Sequence, residues 1–218
     1  RSVLAEAGHM VVPVFASSLF AADKAVFDGI VDDGADWTDG AINSGWVFPD
    51  DPTRIRIKAE EHSTSISLLC WPNHYEGRPE FATHFTFTPA TTGTYEMTAV
   101  LGFHGFYALV SDDSAYNCRF VTVDLTAQMN VHQYVSAGWK DFPPLLYVEK
   151  SNVNEVTNYD RTHFLDYTTA LRAGDPVIVT VKGVVHAFAH GGATHAELNF
   201  EAGTANYIEP LFMNVIKL

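Results

Sequence analysis

Phe81-Ala82-Thr83-His84-Phe85-Thr86-Phe87-Thr88-Pro89-Ala90-Thr91-Thr92-Gly93-Thr94-Tyr95-Glu96-Met97-Thr98-Ala99-Val100-Leu101 decides the fold class. Phe81, Thr83, Phe85 and Phe87 fall on one face of an extended chain, with Ala82, His84 and Thr86 on the other. After Thr92-Gly93 the period of two resumes: Tyr95, Met97, Ala99 and Leu101 oppose Thr94, Glu96 and Thr98. Alternation with this period marks half-buried β-strands, and a turn between two such runs marks a reversal of direction.

Outward from this stretch the pattern repeats. Arg54-Ile55-Arg56-Ile57-Lys58 alternates strictly, and Val177, Val179 and Val181 oppose Ile178, Thr180 and Lys182. Turn signals recur at strand-length intervals, among them Asp39-Gly40, Pro49-Asp50-Asp51-Pro52, Glu76-Gly77-Arg78-Pro79, Pro143-Pro144, Ala173-Gly174-Asp175-Pro176 and Gly191-Gly192. Only residues 17–27 suggest a helix. The reading is an all-β chain, a single β-sandwich of jelly-roll type with about ten to twelve antiparallel strands. It spans residues 11–218, behind residues 1–10, which read as a tag or leader ahead of Met10.

Phe87-Thr-Pro-Ala-Thr-Thr-Gly93-Thr-Tyr95-Glu-Met97 resembles a phrase of the globular heads of complement component one-q and the related tumour-necrosis-factor-like jelly rolls, with Met97 in place of an aromatic. Gly93 suits the tight turn, and Tyr95 and Met97 point inward from the next strand. Val14-Phe15-Ala16-Ser17, Val26-Phe27-Asp28-Gly29-Ile30, Leu171 to Val179 and Tyr207 to Phe212 follow in the family's order. The chain is longer than such a head, with extra material around residues 31–80 and 136–165. The resemblance implies a jelly roll that packs as a trimer and binds a ligand without catalysis.

Composition bounds the partners. The chain has 218 residues and 13 basic against 26 acidic side chains, a net charge of −13. Nucleic acid is a poor partner, because phosphate binding needs a basic footprint. No apolar run approaches the roughly 20 residues of a membrane-spanning helix, so membrane insertion is not expected. Cys70 and Cys118 allow at most one bridge, and their spacing does not say whether they meet. The Gly-x-Ser-x-Gly, Walker, Gly-x-Gly-x-x-Gly and His-Glu-x-x-His motifs are all missing.

Three groups of residues carry candidate chemistry. First, Gly191-Gly192-Ala193-Thr194 reads as a hairpin loop that pairs His190 with His195 and sets Glu197 on the same face. Opposed side chains lie about 5 Å apart at Cβ, so His190, His195 and Glu197 could hold one divalent ion, zinc or calcium. His186 sits about 13 Å from His190 along the strand and cannot share that ion. The alternative is a hairpin whose outer face is simply polar. Second, Asp32, Asp33, Asp36 and Asp39 crowd a loop without the spacing of an EF-hand, and a solvated acidic loop is the plainer account. Third, Trp37, Trp46, Trp139 and Tyr107 lie near turns and could stack on sugar rings; they could equally cap the core or a trimer contact. No other cofactor is expected.

These readings converge on a non-catalytic, oligomeric binding or adhesion module, favoured as a trimer, recognising a glycan or protein at a cell or virion surface. Recognition is expected on the loops around residues 31–52 and 136–165. The rivals are a metal-dependent or carbohydrate-active enzyme on the same scaffold, and a purely structural capsid or fibre protein.

Overall fold

Alternating apolar side chains force each strand to turn one face inward, and two sheets meet on those faces. The computed structural model describes residues 40–63, 78–111 and 119–218. It contains β1 (Ala41–Ile42), β2 (Ser44–Val47), β3 (Lys58–Ser63), β4 (Glu80–Pro89), β5 (Gly93–Ser111), β6 (Phe120–Gln133), β7 (Val135–Asp141), β8 (Leu146–Lys150), β9 (Val153–Leu171), β10 (Val177–His190), β11 (Thr194–Asn199) and β12 (Tyr207–Lys217), with no helix among the described residues. The helical expectation at residues 17–27, the phrases at 14–17 and 26–30, Trp37, the acidic run at 32–39 and both cysteines lie outside the described residues.

One sheet runs β1–β4–β10–β6, with β7 and β8 following one another along the far edge of β6. In the other, β9 pairs along the whole of β5. The opposite edge of β5 is divided: β12 takes Tyr95 to His104 and β11 takes Phe106 to Val110, with β2 beyond β12 and β3 beyond β11. Antiparallel pairs nest one inside another, β2 with β12, β4 with β10, β5 with β9, and β6 with β7 and β8. A long ribbon folded in this way into two sheets is a jelly roll. Among the described strands, the two-residue β1 alone pairs in parallel.

Phe81, Phe85 and Phe87 on β4, Tyr95, Met97, Ala99 and Leu101 on β5, and Val177, Val179 and Val181 on β10 all lie in one core, as alternation predicted. Each Phe, Met, Leu and Val among them contributes about 1.5–3 kcal/mol by leaving water. Gly93, however, does not adopt a left-handed φ. Its missing Cβ instead leaves room for Lys217, whose Nζ donates to Thr91 Oγ1 at 2.7 Å.

Two segments differ from expectation. Residues 54–57 form no strand beyond an Ile55–Ile208 bridge; Arg56 spends its guanidinium on the carbonyls of Glu201 and Gly203, tying down the β11–β12 connection. The stretch 136–165 is not a loop but β7, β8 and most of β9. There it closes one side of the sandwich: Tyr159 donates to the Leu145 carbonyl, Tyr167 to that of Gly138, and Lys150 pairs with Glu155.

Candidate functional site

The four expected aromatics have separate fates. Trp37 lies outside the described residues. Tyr107, opposite Leu198 and Thr157, packs half-buried against the core. Trp46 meets Phe212 edge-on at 4.6 Å, in a small apolar cluster with Val100 and Leu211 on the outer side of the second sheet. Trp139 is different: it stands 49% exposed on β7.

Register gives Trp139 its neighbours. It lies opposite Asn130 on β6, which lies opposite Thr180 on β10, which lies opposite His84 on β4. Directly opposed residues share a face of the sheet. Met129, Val131, Val179, Val181 and Phe85 are buried in the core, so this row faces solvent. It crosses four strands, about 14 Å at three interstrand spacings. His84 Nδ1 lies 3.0 Å from Thr180 Oγ1. Ser136 donates to Asn130 Oδ1 at 2.8 Å, which leaves the Asn130 amide protons directed elsewhere. The row therefore offers one aromatic plate followed by an amide, a hydroxyl and an imidazole. Gln128, Asp141 and Lys182 flank it on one side, and His132 and Thr86 on the other.

The histidine hairpin does not form. β10 pairs with β6 as far as His190, opposite Phe120, and with β4 from Val177 to Val184; β11 lies between β5 and β3 in the other sheet. Both hydrogen-bonding edges of β11 are taken, by β5 and β3, so Gly191-Gly192-Ala193 crosses between sheets. Ala189 and Ala196 point into the core, so His190 and His195 face away from each other on opposite sides of the sandwich. His190 stacks at 5.1 Å on Phe120 and at 6.1 Å on Phe188.

His195 and Glu197 instead meet β3. His195 lies opposite His62 and Glu197 opposite Glu60, all on the solvent face. The two imidazoles stack with centroids 4.2 Å apart, and their Nδ1 atoms are 3.0 Å apart. His62 Nε2 is 2.7 Å from Glu60 Oε1, and His195 Nε2 is 3.6 Å from Glu197 Oε2. The second oxygen of each carboxylate is held from the next row, Glu60 by Lys58 at 2.7 Å and Glu197 by Asn199 at 2.6 Å. Lys58, and then His62, hold the Glu60 carboxyl below its usual range. Glu60, His62 and His195 each place a ligand atom within 4.8 Å of the others. The alternating Lys58-x-Glu60-x-His62 is visible in the sequence, but its pairing with β11 is a tertiary fact.

No family model and no curated protein sequence matches the chain. Among solved structures, TmCBM61 in complex with beta-1,4-galactotriose is similar at 11% identity, over 66% of this chain and 69% of that one, with a TM-score of 0.22. The Eiger TNF of S. frugiperda is similar at 15% identity, over 69% of this chain and 97% of that one, with a TM-score of 0.23. Likeness at this level adds nothing to the site; the fold rests on the strand pairing itself. No helix among the described residues is long and apolar enough to cross a membrane.

Proposed function

We propose that this chain is a non-catalytic binding module that holds a glycan against the solvent face of β7, β6, β10 and β4. The row Trp139–Asn130–Thr180–His84 carries the reading. An exposed indole stacks on the apolar face of a sugar ring, while the amide, hydroxyl and imidazole exchange hydrogen bonds with ring hydroxyls. The strands hold these groups in fixed register, so little ordering accompanies binding. A net charge of −13 disfavours anionic polysaccharides and points to neutral ones.

The module is proposed to act as a closed homo-oligomer, a trimer, at a cell or virion surface. Val156 and Phe164, 70% and 48% exposed on the outer face of the edge strand β9, supply apolar surface for such a contact. Several weak sugar sites on one assembly then gain avidity.

The test is titration with a panel of neutral oligosaccharides, followed by tryptophan fluorescence and by amide chemical shifts. Binding should perturb Asn130 and Thr180, and Trp139→Ala should weaken it about 30-fold, as expected for a dominant aromatic anchor worth about 2 kcal/mol. His190→Ala, at the far end of the same sheet, should bind normally. Unchanged affinity in Trp139→Ala would remove the basis for the assignment.

A further inference from the structure

We propose that His62 and His195, oriented by Glu60 and Glu197, form a zinc site on the solvent face of β3 and β11. The argument begins with tautomers. An ionised carboxylate can only accept, so the 2.7 Å contact to Glu60 places the proton of His62 on Nε2 and leaves Nδ1 as a bare lone pair. That Nδ1 lies 3.0 Å from the Nδ1 of His195, whose own Nε2 faces Glu197. Two imidazoles whose outer nitrogens face carboxylates, and whose inner nitrogens converge, are arranged as metal-binding histidines are. Two nitrogen ligands on a tetrahedral zinc ion with bonds of about 2.0–2.1 Å stand about 3.3 Å apart, close to the separation present here.

The surroundings suit an open site. The His62 side chain is 60% exposed on the outermost described strand of its sheet, so its ring can turn toward an ion without unpacking a described neighbour. Lys58 and Asn199 occupy the second oxygens of the two carboxylates and hold them beside the rings. The remaining coordination positions face solvent and are available to water or to a ligand group. Imidazole donors favour zinc and its transition-metal neighbours over calcium, which takes oxygen ligands. This ligand set replaces the expected trio of His190, His195 and Glu197, from which the sandwich itself separates His190.

Isothermal titration of the chelator-stripped full chain with zinc chloride tests the site. One zinc per chain is expected. His62→Gln and His195→Gln should each lower its affinity at least tenfold, and Glu60→Ala should weaken it by about 10–100-fold as an orienting partner. His190→Gln should bind as the wild type does. Zinc should also raise the melting temperature of the wild type and fail to raise that of the doubly substituted chain, whose circular dichroism shows whether it is folded. No uptake by the wild type, or full affinity in both histidine variants, overturns the proposal.

Discussion

His163 on β9 places a titratable ring where water is scarce. Its Nε2 is 2.7 Å from the Tyr159 hydroxyl, which donates onward to the Leu145 carbonyl at 2.9 Å, and Phe103 meets its ring edge-on at 5.5 Å. With the hydroxyl proton committed to Leu145, His163 donates from Nε2, and the chain of bonds is complete with a neutral imidazole. Burial, and then the nearby Arg161 charge, push its pKa below the ordinary value, while burial pushes Tyr159 up to about 12. Because the folded pKa of His163 is lowered, the unfolded chain binds the extra proton first on acidification. This contribution to stability is therefore complete above about pH 6.5 and is lost as pH falls from there through the folded pKa. Melting temperature measured against pH should decline over that window in the wild type. His163→Gln, which keeps a donor for Tyr159 but cannot titrate, should decline less; identical profiles would mean that the proton enters elsewhere.

Gly105 marks the point on β5 where one partner strand gives way to another. β12 pairs as far as His104 and β11 begins at Phe106, so the end of β11 must pass close by. A Cβ on Gly105 would stand 2.3 Å from the Asn199 carbonyl oxygen and 2.6 Å from a Phe200 ring carbon. Backbone on one side and a fully buried ring on the other give little room to relax. Gly105→Ala should cost about 1–3 kcal/mol, the range for overpacking, read as a lowered urea midpoint with unchanged slope. An unaltered midpoint would show that β11 can shift outward freely. This junction also shows what could be read beforehand. β4, β5 and β10 were legible because alternation fixes which side chains turn inward, and Trp139 was legible as an aromatic beside a turn. The separation of β10 from β11 was not, because it depends on β3 and β5 having claimed both edges of β11. The same holds for His62: alternation puts it on a polar face, yet only the register with β11 brings it to His195. Tyr107 could not be placed beforehand because Phe106-Tyr107-Ala108-Leu109-Val110 is apolar throughout, so alternation does not say which face turns inward.

At the scale of the whole molecule, charge opposes the proposed assembly and apolar surface favours it. The β9 edge is tied to β7 and β8 within the chain, so its outer face, with Val156 and Phe164, is the part left to meet another copy. Three chains each carrying −13 repel one another, over about 30 Å in 0.01 M salt but only about 10 Å in 0.1 M. Association should therefore tighten as salt is added, the opposite of an assembly held by ion pairs between subunits. Light scattering on the eluting protein should report three copies of the 24.0 kDa chain in 0.15 M salt and partial dissociation in 0.01 M. Phe164→Glu puts a further negative charge into the contact and should give a folded monomer at both salt concentrations. Because Phe164 lies on the outer face of the second sheet and the Trp139 row on that of the first, that monomer should retain its affinity for a single glycan while losing avidity for a glycan-coated surface. A wild type that elutes as a monomer at high protein concentration, or a trimer indifferent to Phe164→Glu, would place the contact elsewhere or remove it.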